Sequence, residues 1–170
     1  PLPSLVGVSL HELMHSWYQM LMGTDEARYP WMDEGFTSYT EGMVYNYLRN
    51  NELIEGMSKV EFPYKQLMAR YTGFGEMGFE EPMTTLADYY HTNAAYGVAS
   101  YVKGAAYLHA LRYIIGEDAF FRTMKEYYNQ WSYKHPEPED FIRIAEEESG
   151  MVLNWYQNLM VNTTKKSDYA

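Results

Sequence analysis

Residues 9–17, SLHELMHSW, set two histidines and a glutamate inside an otherwise apolar run. Burying ionisable groups among Leu, Met and Trp is costly unless something compensates them. The flanking residues keep a helical period. Leu5, Val8, Leu10, Leu13, Met14, Trp17 and Leu21 cover nearly the whole circumference of a helix over 4–22, and a helix apolar all round is expected to be buried. On that helix His11 and His15, four residues apart, share one face. Two imidazoles at this spacing can bind one Zn²⁺ without distorting the backbone, with Glu12 beside them. Zinc that does chemistry needs a third protein ligand and an open fourth position. Glu34 is the leading candidate. Eighteen residues separate it from His15, and it falls in the first turn of a second helix expected from about Asp33 to Asn50. A helix, a short loop and a returning helix is the shortest way to bring a carboxylate back over the histidines. With this composition, H-E-x-x-H arises by chance in roughly one chain in seventy, and with the glutamate at one fixed downstream position in roughly one in seven hundred.

Helical periodicity dominates the remainder and strand signals are scarce. A third helix is expected around 57–71. Residues 72–95, with several glycines and "EEP", read as irregular with one short helix. Helical pattern returns in "YVKGAAYLHALRYIIGE", "DAFFRTMKEYYNQW", "EDFIRIAEEES" and "LNWYQNLM", punctuated by Gly116, Pro136, Pro138 and Gly150. The expectation is an all-α fold of six to seven helices, one domain over 1–162 and an unstructured tail over 163–170. A net charge of −10 lacks the basic face that a nucleic-acid partner requires, and no apolar run has the length of a membrane span. The absence of cysteine removes disulfides and thiolate metal sites. Eighteen tyrosines imply a tyrosine-rich core.

"HELMHSW" followed by "WMDEGFTSYTE" resembles the gluzincin zinc aminopeptidases typified by aminopeptidase N, whose pattern is H-E-x-x-H, eighteen residues, then E. Thermolysin-like enzymes space that glutamate one residue further. "YVKG" at 101–104 is similar to the family's Y-x-K-G segment, and "IIGEDAFFRTMKEY" resembles the stretch that follows it. The resemblance extends over about residues 5–160. It implies the helical lobe of a thermolysin-like catalytic domain, with His11, His15 and Glu34 as ligands of one Zn²⁺, Glu12 as general base and Tyr101 as the tyrosine that stabilises the transition state. The chemistry agrees with each role: zinc acidifies water, a carboxylate takes the proton, and a phenol donates to an oxyanion. Glu41, seven residues after Glu34 on the same helix face, either orients a ligand or is a solvated helix charge. Asp33, where the family has Asn, either orients a ligand as Glu41 could or, as the favoured reading, caps the second helix. Lys103 offers positive charge near Tyr101 or, as lysines more often do, lies exposed. His91, His109 and His135 lack partners at ligand spacing and are expected to be structural or exposed.

The family binds the substrate's free N-terminus through a G-x-M-E-N segment upstream of the zinc helix, and this chain contains no match. The expectation is therefore a piece of a larger catalytic domain, whose upstream part supplies that segment and the other wall of the cleft. "WYQM" after the second histidine departs from the family's W-F-G-N. The resulting reading is zinc-dependent hydrolysis of a peptide or protein substrate within an aminopeptidase. The alternatives are a zinc endopeptidase with the same ligands and a non-catalytic interaction module on the same scaffold.

Overall fold

The computed structural model describes residues 2–60 and 63–165. Every regular element among them is helical: α1 (Leu2–Met14), α2 (Pro30–Asn50), α3 (Lys65–Glu76), α4 (Asn93–Gly97), α5 (Gly104–Ile115), α6 (Glu117–Trp131), α7 (Pro138–Ser149) and α8 (Asn154–Val161). A 3₁₀ turn spans Ala87–Tyr89, and a π-helical segment, Val98–Lys103, joins α4 to α5 without a break. Counting that continuous run once gives seven rods, as the sequence pattern implies. Of the expected tail, 163–165 are described, and 166–170 lie outside the described residues.

The boundaries follow local chemistry. Gly116, at φ 83°, separates α5 from α6, a backbone angle that a side chain resists. Pro138 opens α7 inside a capping box formed by Glu137 and Asp140, and Gly150 closes it in the left-handed conformation. α2 starts three residues earlier than its sequence pattern suggests, because Pro30 is pre-set for the first helical turn.

The first half of α2 is the hub. Trp31, Met32, Phe36 and Tyr39 are buried and pack with Tyr107, Leu108 and Leu111 of α5, Phe120 and Tyr127 of α6, and Phe141 and Ile144 of α7. The Phe36 ring lies 4.9 Å from Phe141, 5.4 Å from Tyr18 and 5.7 Å from Tyr127. The core is tyrosine-rich as expected, and two of its hydroxyls are hydrogen-bonded: Tyr107 donates to Gln157 Oε1 at 2.7 Å, and Tyr156 donates to the Tyr107 carbonyl.

α1 departs from expectation twice. Regular helix stops at Met14, and residues 15–22 continue as irregular turns closed by Gly23 at φ 70°. The helix is also not buried: Leu5, Val8 and Leu13 are all more than half exposed, and Met14 is its only buried residue. Periodicity reports how apolar each face is, whereas burial needs an element opposite each face. α1 packs chiefly on α2, so its histidine face is covered and its outer face is not.

Candidate metal centre

The covered face of α1 carries His11, His15 follows directly on its last turn with its N–H donated to the His11 carbonyl, and the first turns of α2 bring Glu34 to them. One ring nitrogen from each of His11 and His15 and one Glu34 oxygen lie within 4.8 Å of one another. Glu34 Oε2 stands 3.1 Å from His11 Nε2 and 3.4 Å from His15 Nε2. The imidazoles meet edge to face, with centroids 4.8 Å apart.

The opposite edge of each ring is held by a carboxylate. His11 Nδ1 is 3.1 Å from Glu41 Oε2. His15 Nδ1 is 2.8 Å from Asp33 Oδ1 and 3.3 Å from Thr37 Oγ1. A neutral ring donating Nδ1–H on this side would present its Nε2 lone pair to a metal, whereas as an imidazolium His11 donates Nε2–H to Glu34 Oε2 at 3.1 Å. Asp33 therefore does not cap α2: Tyr29 occupies the N-cap position and makes no side-chain cap bond. Starting the helix at Pro30 moves Asp33 into its first turn, where it is buried beneath His15. Burial pushes its carboxyl up to about 6, against the pull of His15.

The cluster seeks positive charge. Hydrogen bonding to Glu34, then to Glu41, outweighs burial and holds the His11 imidazolium up to about 9. Burial would raise the Glu34 carboxyl, but His11 and Tyr101 together take it below its usual range. The donor set suits a metal. Donors about 2.0–2.1 Å from a tetrahedral zinc stand about 3.3 Å apart; the two Glu34–imidazole separations match that, and all three donors lie within 4.8 Å of one another. Two imidazoles, one carboxylate and an open side form the donor set of a catalytic rather than a structural zinc site.

Tyr101 comes from the π-helical segment. Its phenol donates to Glu34 Oε1 at 2.6 Å, and its ring stacks on His11 at 5.7 Å. Burial, reinforced by Glu34, raises its pKa far above the usual value, so the phenol stays a proton donor. Glu12 is exposed and shares with His11 and Tyr101 the wall of an open cavity of about 760 Å³. Val8 of α1 lines the near side, and Leu67 and Phe74 of α3 line the far side. That volume lies within the range of small-ligand sites.

All seven residues singled out by sequence thus gather at this cavity or directly behind it. Thr37 was missed, although its place one turn after Asp33 on the same helix face could have revealed it. Lys103 is not exposed but buried, with its ammonium 2.6 Å from Glu80 Oε1. Of the other histidines, His91 pairs with Glu81, His135 Nδ1 lies 2.7 Å from the Gly23 carbonyl, and His109 is wedged between Tyr39 and Tyr64. Burial, helped by Arg112, pushes the His109 imidazole down to about 3.

A family model described as the peptidase family M1 domain matches residues 3–162. Aminopeptidase M1-B of Oryza sativa subsp. japonica is 26% identical over 163 residues, covering 94% of this chain and 17% of the rice protein. Aminopeptidase N of Homo sapiens is 26% identical over 135 residues, covering 77% of this chain and 13% of the human protein. Among solved structures, an M1 zinc metallopeptidase from Deinococcus radiodurans superposes with a TM-score of 0.73 at 19% identity, over 95% of this chain and 34% of that one. The chain thus spans under a fifth of the length of these two aminopeptidases.

Proposed function

The chain belongs to peptidase family M1, and from that membership we propose that it is the helical lobe of a zinc aminopeptidase catalytic domain, with His11, His15 and Glu34 holding one zinc ion. The observation that carries this is the meeting of two imidazole Nε2 atoms and one carboxylate oxygen at 3.1 and 3.4 Å, each ring fixed from behind by a carboxylate. The relatives' names as aminopeptidases favour cleavage at a peptide N-terminus over internal cleavage.

Zinc held there supplies Lewis acidity, acidifying water and polarising a peptide carbonyl. The chain's own residues do the rest. Glu12, on the open cavity wall, accepts the proton of the attacking water on a carboxylate oxygen and then gives it to the departing nitrogen. Tyr101 Oη donates a hydrogen bond to the carbonyl oxygen as negative charge develops there. Its hold on Glu34 Oε1 keeps the phenol in place beforehand. Val8, Leu67 and Phe74 give the substrate an apolar surface and exclude water.

The protein is expected to bind one equivalent of zinc, to lose hydrolysis of peptide amide substrates on chelation and to regain it when zinc is restored. A protein that retains full turnover in excess chelator, with its zinc removed, would sink the reading. Glu41→Ala leaves all three ligands in place but frees the His11 ring. It is expected to weaken zinc binding about 10–100-fold, read by competition with a chromophoric chelator. Unchanged affinity would return Glu41 to the status of a solvated charge.

A further inference from the structure

We propose that Lys103 and Glu80 form a buried latch that sets the rotation of the π-helical segment and so positions Tyr101 over Glu34. The inference rests on the role given to Tyr101 above.

Lys103 is 1% exposed and its partner's side chain 7%. The ammonium reaches three separate parts of the chain. It is 2.6 Å from Glu80 Oε1 in the loop after α3, donates to the Thr163 carbonyl beyond α8 at 3.0 Å, and lies 5.9 Å from the centre of the Tyr71 ring on α3. That loop is itself tied to α8, since the Met83 N–H donates to the Val161 carbonyl at 3.0 Å. Lys103 is therefore fastened to a closed frame.

Tyr101 precedes Lys103 by two residues on the same segment, Val98–Lys103. Residues two apart on a helix do not face one another. Tyr101 points to Glu34, while Lys103 points away from it into the frame. A π-helical turn is intrinsically disfavoured and persists where its surroundings hold it. With the phenol oxygen about 8 Å from the helix axis, a rotation of about 7° shifts it by roughly 1 Å. A displacement of that size at a reacting group costs about 10²-fold in rate. A buried ion pair is not an efficient source of stability, because well-packed apolar residues of similar volume do as well or better. The role assigned to this pair is therefore not stability but the holding of one geometry.

The test replaces the pair in the intact zinc-loaded protein with apolar residues, Lys103→Met together with Glu80→Leu. The expected result is an unchanged melting temperature and zinc content, a KM within about twofold, and a kcat lowered about 10–100-fold. Amides of 98–103 should exchange faster with solvent deuterium while those of α2 keep their protection. The decisive measurement is the combination with Tyr101→Phe, which alone is expected to lower kcat about 10²–10³-fold. If the latch acts through the phenol, adding Tyr101→Phe to the apolar pair should bring kcat only to the level of Tyr101→Phe alone. Multiplicative losses, or an unchanged kcat in the apolar pair, overturn the latch. Full activity of Tyr101→Phe alone overturns instead the role of Tyr101. Should the apolar pair fail to fold, Glu80→Asp keeps both charges and shortens the reach by one methylene. The same criteria then apply to a kcat loss of several-fold.

Discussion

Replacing Glu12 by Gln should leave a protein that folds, binds one equivalent of zinc and hydrolyses peptide amides about 10²–10⁴-fold more slowly. Gln keeps the shape and the hydrogen-bonding oxygen of Glu but cannot carry a proton between water and a leaving nitrogen. Glu12 is exposed on the last turns of α1 and is outside the cluster of His11, His15 and Glu34. Its substitution should therefore disturb neither the core nor the ligands. The loss should fall on kcat, because the proton transfer belongs to the transition state rather than to binding. Zinc content by atomic absorption and steady-state kinetics on the same preparation make the check. A Glu12→Gln protein with wild-type kcat would show that another group takes the proton. A variant that lost its zinc would place Glu12 among the ligands.

How much of this was legible in the sequence depended on how local each relation is. His11 and His15 are one helical turn apart, so their pairing needs only a helix. Glu34 needs one hairpin more, and the short connection after Gly23 permits few other arrangements. For Glu41 the spacing of α2 left a ligand-orienting carboxylate and a solvated charge open, and the structure pairs it with His11. For Asp33 the favoured cap reading failed on a shift of three residues in the start of α2, and the alternative, a carboxylate behind a histidine, is where the structure puts it, 2.8 Å from His15 Nδ1. The exposure of α1 was not legible, because an apolar face says nothing about which element lies opposite it. Nor was the π-helical segment: "VASYVKG" carries no residue that breaks an α-helix other than its last, and the extra residue in the turn is imposed by packing. Lys103 was misplaced for the same reason, since its partners Glu80 and Thr163 lie 23 and 60 residues away.

One further contact joins two of the recognisable motifs, and it yields the larger stability effect. Gly35 follows Glu34, and Gly104 ends "YVKG". A Cβ on Gly104 would stand 2.7 Å from the Gly35 Cα and 3.3 Å from the Trp31 carbonyl oxygen. One on Gly35 would stand 2.7 Å from the Gly104 Cα and 3.0 Å from the Ser100 carbonyl oxygen. These are backbone atoms, so no side-chain rotation relieves the clash. α2 and the run from the π-helical segment into α5 would have to separate by roughly 1 Å, opening the core at Trp31. Intrinsic propensity argues the other way, because Ala in a helix is favoured over Gly by about 1 kcal/mol. The sign of the effect thus decides between local preference and close approach. Gly104→Ala is expected to destabilise by about 2 kcal/mol or more. Gly73→Ala in α3, where a Cβ meets nothing within 4 Å, should stabilise by up to about 1 kcal/mol. Urea denaturation of both variants reads the two values. The same separation draws Tyr101 away from Glu34, so folded Gly104→Ala protein should also show a kcat lowered by about 10²-fold while the cluster of His11, His15 and Glu34 remains in place. A Gly104→Ala protein as stable and as active as the parent would mean that the two helices do not need their glycine crossing to bring the phenol to the carboxylate.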